Sequence, residues 1–266
     1  MTLTIATWNI NSVRLRIDLV ARFLKKFRPD VLCLQEIKCR DDQFPYRRFT
    51  RLGYPHHAVS GQKGYHGVAT ISRRPLLETE RRRFCGKNDA RHISTRLEGS
   101  RGIVVHNFYV PAGGDVPDPA INDKFAHKLD FLDEMTAWLN GPITAGRTVL
   151  VGDLNIAPLE NDVWSHRQLL RVVSHTPVET ERLEALRHAG GWTDAVRHFV
   201  PQDQRLFTWW SYRARDWLAS NRGRRLDHIW VSKPLERQLD EAVIVRDARG
   251  WPRPSDHVPV IVALSV

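Results

Sequence analysis

Five short apolar runs in this chain each carry a carboxylate, an amide or a histidine at one end. Trp8-Asn9-Ile10-Asn11 closes the first run, and Gln35-Glu36 follows Val31 to Leu34. Gly152-Asp153-Leu154-Asn155 follows Val149 to Val151, Leu226-Asp227-His228 opens another run, and Ser255-Asp256-His257 precedes the last. Taken singly, an Asp or Asn beside a strand is a turn or cap residue, and an Asp-His pair in a loop is a solvated surface pair. Five in succession form a constellation instead. It contains four hard carboxylates (Glu36, Asp153, Asp227, Asp256), three amides (Asn9, Asn11, Asn155) and His257 with possible Asp partners. Magnesium is held by one or two carboxylates together with substrate phosphate and water. Amides donate hydrogen bonds to phosphate oxygens without adding charge, and a His oriented by an Asp serves as acid, base or phosphate donor. The set suits metal-assisted phosphodiester cleavage.

The elements that must position these groups follow from periodicity. Apolar residues at 13, 17, 20, 24 and 27 mark the buried stripe of a helix over Ser12 to Arg28, with Ser12 as cap and Pro29 as stop. Strands are expected at Leu3 to Trp8 and Val31 to Leu34 on either side of it. A second helical stripe (Phe125, Leu129, Leu132, Met135, Leu139) closes at Gly141-Pro142 and feeds a strand at Thr148 to Val151. Branched, β-type runs lie at Gly67 to Ile71, Ile103 to Val110, Arg225 to Val231, Ala242 to Val245 and Val258 to Leu264. Many strands with few helices predict layered α/β architecture with mixed sheets. No linker, repeat or composition break divides residues 1–266, so a single domain is expected. The turn-rich stretches at 111–119 and 250–254 are expected to be surface loops.

Composition narrows the partner. Forty Lys and Arg against thirty Asp and Glu give a net charge of +10 on 266 residues, which favours a polyanion. Segment 205–225 concentrates that excess. It holds six arginines (205, 213, 215, 222, 224, 225), one acid (Asp216) and five aromatics (Phe207, Trp209, Trp210, Tyr212, Trp217). Arginine pairs with phosphate and aromatic rings stack on bases or sugars, so nucleic acid is the expected partner. Alternation along a strand leaves Phe207 and Trp209 open to a core role. Cys33, Cys39 and Cys85 offer neither a paired disulfide framework nor zinc-ligand spacing, and no glycine-rich nucleotide loop is present. The longest apolar stretch, Val258 to Leu264, is too short for a membrane helix, and the start lacks signal-peptide features. The expectation is a soluble, cytoplasmic protein.

These pieces resemble the exonuclease III family of apurinic/apyrimidinic endonucleases, within the endonuclease/exonuclease/phosphatase superfamily. Eight motifs carry the resemblance in order: TWNINSVR at 7–14, LQEIK at 34–38, GQKGYHGVA at 61–69, YVP at 109–111, GDLNIAP at 152–158, FTWWSYR at 207–213, NRGRRLD at 221–227 and PSDHVP at 254–259. The resemblance implies a four-layer α/β sandwich of the DNase I type: two mixed sheets face to face, helices outside, and a site where strand ends converge. It implies a magnesium ion, replaceable by manganese, on Glu36 with Asn11 and Asp256 close by and Asp153 and Asn155 opposite. Asp153 would activate or position the attacking water, and His257, oriented by Asp227, would contact the scissile phosphate. Asn9, Asn155 and Tyr109 would hold that phosphate, Trp209 would line the pocket for a flipped abasic sugar, and Lys38 would neighbour the metal-binding acid. Tyr212, Arg213, Arg222, Arg224 and Arg225 are the further residues expected to face DNA.

The implied activity is cleavage 5′ to an abasic site in duplex DNA, leaving a 3′ hydroxyl, with 3′–5′ exonuclease and 3′-phosphodiesterase or phosphatase action at blocked ends, by a monomer acting on the nucleoid. Trp210 and Ser211 stand where the family pattern has Phe and Asp, Tyr65-His66 reverses the usual order, and the loop after Tyr109 lacks the arginine some members insert into the duplex. Those differences bear on whether incision or exonuclease action predominates. Inositol-phosphate or lipid phosphatase chemistry and a non-catalytic DNA-binding relative are the alternatives. The basic aromatic segment opposes the first, and the complete acid, amide and His set opposes the second.

Overall fold

The computed structural model describes residues 2–99, 101–139 and 141–266. Fourteen strands run along it: β1 Thr2–Asn9, β2 Val31–Gln35, β3 His56–Ser60, β4 Val68–Ser72, β5 Leu76–Glu80, β6 His92–Leu97, β7 Val104–Tyr109, β8 Thr148–Asp153, β9 Thr193–Asp194, β10 Trp209–Trp210, β11 Gly223–Arg224, β12 Asp227–Val231, β13 Leu239–Ile244 and β14 Val260–Ser265. They form one six-stranded sheet ordered β13-β14-β1-β2-β4-β3, a second ordered β5-β6-β7-β8-β12-β9, and the small ribbon β10-β11. Both large sheets are mixed. β1 runs parallel to β2 and β7 parallel to β8, while the other pairs are antiparallel.

Strand alternation builds the four layers. Odd-numbered residues of the central strands (Leu3, Ile5, Val31, Cys33, Val105, Val149, Val151, Ile229, Val231) meet between the sheets in one buried cluster. Their even-numbered neighbours face outward. Trp8, Leu32 and Leu34 pack under Val20, Phe23 and Leu24 of the helix Ile17–Phe27. Phe108, Leu150 and Trp230 pack under Phe131, Leu132, Leu183 and Leu186 of the helices Asp123–Trp138 and Pro177–Ala189. The expected helix–sheet–sheet–helix sandwich is therefore what forms.

Two expectations change. The first helix begins at Ile17, not Ser12, because Asn11 and Ser12 take positive φ (48° and 83°) and the chain makes a tight turn that presents Asn11 before the helix starts. Ser12 Oγ accepts only the weak Leu15 N–H, at 3.4 Å. The helix Pro177–Ala189 was not anticipated from apolar periodicity. Its signature is a capping box, Thr176 with Glu179, and a proline in its first turn.

One glycine holds the sheet in register next to the site. Gly152 sits opposite Phe108 with φ +144°, and a Cβ there would lie 1.9 Å from the Phe108 carbonyl oxygen. Gly152→Ala must push two central strands apart. Its expected cost is about 2–3 kcal/mol, a fall in Tm of roughly 5–10 °C, and a calorimetric scan reads it directly.

Candidate active site

The alternation that builds the core also builds the site. Beyond the last apolar layer, the inward-facing positions become Asn9 on β1, Gln35 on β2, Asn107 and Tyr109 on β7, Asp153 on β8 and Asp227 on β12. Polar side chains thus meet at one mouth of the seam between the sheets, all of them buried. The residues that follow the strand ends turn sharply to join them. Asn11, Glu36, Lys38 and Asn155 all have φ between 48° and 55°, a sparsely populated region for residues with side chains.

Asn9 is the hinge of the hydrogen-bond network. Its amide donates to Glu36 Oε1 (2.9 Å) and to Asp153 Oδ2 (2.8 Å). Tyr109 donates its hydroxyl to Glu36 Oε1 at 2.8 Å. Both donors therefore orient the carboxylates, a role that sequence reasoning had assigned to neither. Lys38 Nζ lies 2.8 Å from Glu36 Oε2 and donates to Asn11 Oδ1 at 2.7 Å. Asn11 Nδ2 donates to Asp256 Oδ1 (3.2 Å), and Trp209 Nε1 donates to Asp256 Oδ2 (3.0 Å). Asn155 donates its backbone N–H to Asp153 Oδ1 and its amide to the Val110 carbonyl. Every predicted catalytic and metal-binding residue is in this cluster.

His257 is held from both sides. Its Nδ1 is 2.8 Å from Asp227 Oδ2, and its Nε2 is 3.7 Å from Asp153 Oδ2. Burial alone would discharge the imidazolium. Asp227, then Asp153, outweigh that and raise its pKa to about 10. Burial likewise raises Asp153, to about 7, against the pull of His257. Burial also works against the Glu36 carboxylate, but Lys38, Asn9 and Tyr109 bring its pKa below the usual value. Thr208, not singled out from sequence, donates to Asp227 Oδ2 at 2.6 Å and fixes the acid that fixes His257.

Two donor sets could be considered for a cation. Asp153, Asp227 and His257 bring ligand atoms within 4.8 Å of one another, but the 2.8 Å hydrogen bond between His257 Nδ1 and Asp227 Oδ2 already engages two of the three with each other. Glu36, Asn11 and Asp256 offer hard oxygens, and the Lys38 ammonium already sits between two of them, so this side of the site accommodates positive charge. Their chemistry fits a magnesium-class ion.

The cluster opens into a groove of about 910 Å³. Glu36, Tyr109, Asn155, Asp256 and His257 line it together with Arg213, Arg222, Arg224, Trp164 and Trp209, so the groove combines the acidic cluster with three arginines. Segment 205–225 does not act as one surface. Phe207 and Trp210 are buried in the core, Trp209 faces the groove, and Tyr212 is exposed, its hydroxyl bonded to Pro254 and Arg16. Arg222 stacks on Trp164.

Arg225 is a correction. It is fully buried, 2.5 Å from Asp194 Oδ2 and 3.5 Å from Asp162 Oδ2, and cannot reach DNA. Sequence reasoning also missed Lys128, a charged residue on the buried face of the helix Asp123–Trp138. Its ammonium pairs with buried Glu179 on the helix Pro177–Ala189 and donates to the carbonyls of Asn155 and Ala112, joining that helix to two loops of the groove. A lysine on an otherwise apolar stripe was the available signal.

Comparison with known proteins places this geometry. The model of the endonuclease/exonuclease/phosphatase family matches residues 6–257. Exodeoxyribonuclease III of Haemophilus influenzae is 33% identical over 264 residues, covering 96% of this chain and 97% of its own. An AP endonuclease structure from Archaeoglobus fulgidus superposes with a TM-score of 0.91 at 31% identity, over 99% of this chain and all of the other. A 3′ phosphatase from Neisseria, solved with a product DNA hairpin, gives 0.90 at 30% identity over 99% of this chain and 100% of its own. The chain belongs to the endonuclease/exonuclease/phosphatase family, as a nuclease-type hydrolase of the exodeoxyribonuclease III and AP endonuclease kind.

Two measurements check the electrostatics. By NMR, His257 is expected to titrate near 10 in the metal-free native chain and to move back toward 6.5 in Asp227→Asn; a titration unmoved by the change would assign the charge to Asp153 alone. Because the folded-state pKa is raised, the pair's stabilisation is complete below about 6.5 and is lost as pH rises through about 10. Arg225→Ala leaves two buried carboxylates short of a counter-charge and is expected to destabilise the fold by roughly 3–5 kcal/mol, read as a fall in the denaturant midpoint.

Proposed function

We propose that this protein is a magnesium-dependent DNA repair nuclease, with manganese able to substitute. On this reading it hydrolyses the phosphodiester 5′ to an abasic site, leaves a 3′ hydroxyl, and clears blocked 3′ ends by exonuclease and phosphodiesterase action. The observation that carries the proposal is a charged His257 between Asp153 and Asp227, set beside a hard-oxygen cluster in a groove that three arginines also line. The similarity to an AP endonuclease and to a DNA-bound 3′ phosphatase supports the same substrate class.

The residues divide the work. His257, kept protonated by Asp227, donates from Nε2 to a phosphate oxygen and balances charge that grows in the transition state. Asp153, with a pKa of about 7, is poised to take a proton from the attacking water near neutral pH. Asn9 and Tyr109 hold Glu36 and Asp153 in position, and each would reach the phosphate by exchanging a carboxylate partner for it. Glu36, Asn11 and Asp256 would hold the magnesium, with Asp153 and Asn155 as further oxygen donors. When bound, that ion supplies Lewis-acid and charge-neutralising chemistry at the phosphate. Trp209 lines the sugar pocket, Lys38 secures Glu36, and Tyr212, Arg213, Arg222 and Arg224 face the DNA. The protein acts as a monomer on duplex DNA in the cytoplasm, associated with the nucleoid. Among the described residues no helix is long and apolar enough to cross a membrane.

A duplex with one abasic site is the test substrate. Cleavage 5′ to the lesion with magnesium, and none with chelator, is expected; chelator-resistant cutting or a β-elimination product would sink the mechanism. Asp153→Asn and His257→Ala should each lower the incision rate by at least about a thousandfold while duplex affinity changes little. Arg222→Ala should weaken binding and reduce the slope of log K against log salt by roughly one.

A further inference from the structure

A cation withdrawn from water needs a counter-charge, so an unpaired guanidinium on the wall of a cavity marks a place for an anion. Arg224 is in that position. Its guanidinium lies 5.3 Å from the centroid of the Trp209 ring on the groove wall. Nη1 donates to two neutral acceptors, the Val173 carbonyl (2.9 Å) and Ser174 Oγ (2.8 Å), while Nε is buried without a partner. No carboxylate lies within ion-pair distance of it among the described residues. Glu179, the acid whose charge it feels, is taken by Lys128 and by the backbone N–H groups of Ser174 and Thr176. Arg225, one residue on and fully buried, is met by two carboxylates, whereas half-buried Arg224 has none.

Its place in the sheet gives the distance from the chemistry. Trp209 pairs with Arg224 on one side and bridges to His257 on the other. Adjacent strands lie about 4.8 Å apart, so the Arg224 backbone is about 10 Å from that of His257. Side chains that leave neighbouring strands in parallel keep that spacing, which suits the next anionic group along a strand rather than the scissile phosphate itself. Trp209 stands between the two points, where a sugar would lie.

We infer that Arg224, held by Ser174 and Trp209, forms an anion subsite one sugar beyond the scissile phosphate, on its 3′ side. The inference rests on the nuclease reading proposed above. The anion is a strand phosphate at an internal abasic site, or a terminal carboxylate at a 3′ end blocked by a phosphate-linked acid. The shared chemistry is an oxyanion that pairs with the Arg224 guanidinium and accepts a charge-assisted hydrogen bond from Nη2.

Neutralising the anion in the substrate tests this. One pair of duplexes carries an abasic site followed by either a phosphodiester or a methylphosphonate. A second pair ends in either 3′-phosphoglycolate or neutral 3′-phosphoethanol. For the native enzyme, at least one neutral substrate should lose about tenfold to a hundredfold in kcat/KM, the effect of a charge-assisted hydrogen bond. Arg224→Leu should show the same loss on the charged member and no further loss on the neutral one, and Arg224→Lys should recover part of the rate. The pair that behaves so identifies the source of the anion. Penalties that persist unchanged in Arg224→Leu overturn the inference, as does a native enzyme indifferent to both substitutions, a comparison that needs no variant to fold. A native enzyme inactive on every substrate overturns the nuclease reading and the inference together.

Discussion

Two carboxylates buried at the seam between two sheets would repel each other, and a single protonated histidine makes the arrangement tolerable. Asp153 and Asp227 are register partners on β8 and β12, so their proximity is a property of the strand pairing itself. His257 enters from the neighbouring loop with Nδ1 on one acid and Nε2 toward the other. The loop is tied down by backbone groups: Trp8 Nε1 donates to the His257 carbonyl, and Ser255 Oγ donates to the Asn9 carbonyl. Removing water from this place raises the proton affinity of Asp153 and works against the charge on His257, but the two carboxylates outweigh burial at the imidazole and raise its pKa as well. A group near 7 and a group near 10, side by side, make an acceptor and a donor available at the same pH.

The charge of the whole molecule organises around that point. Arg213, Arg222 and Arg224 line the groove together with Glu36, Asn155, Asp256 and His257, so part of the net +10 lies beside the acidic cluster. Basic groups in a cleft raise the local concentration of anions. Arg225 contributes to the formal charge but not to this field, since Asp162 and Asp194 neutralise it inside the fold.

The groove is shaped by a second buried pair. Lys128 and Glu179 are both fully buried, on two helices that cover the outside of the β8 sheet. Lys128 fixes carbonyls after Tyr109 and at Asn155, while Glu179 accepts the N–H groups of Ser174 and Thr176. Ser174 in turn holds Arg224. The helices therefore do more than cover a sheet; they set where the pocket wall stands relative to the carboxylates.

Much of this was readable in one dimension. Apolar runs with an acid or amide at the end name Asn9, Glu36, Asp153, Asp227 and Asp256, because a strand's alternation is local and a polar residue past the last apolar position can only lie at the mouth of the sheet. The central strands, the two long apolar stripes and a layered α/β architecture are legible from local period, while the four-layer sandwich followed from the family resemblance. Other features depend on partners distant in the chain. Ser12 looks like a cap, yet the turn that presents Asn11 takes its place. Adjacent Arg224 and Arg225 look alike as letters, but strand geometry sends neighbours to opposite faces, one to the groove and one to Asp162 and Asp194. Lys128 breaks its stripe for a counter-charge on another helix, and His257 owes its proton to acids 30 and 104 positions away in the chain. Residue type and local period determined which groups line the site; burial and long-range pairing decided which of them are charged, which are free to bind, and which are part of the core.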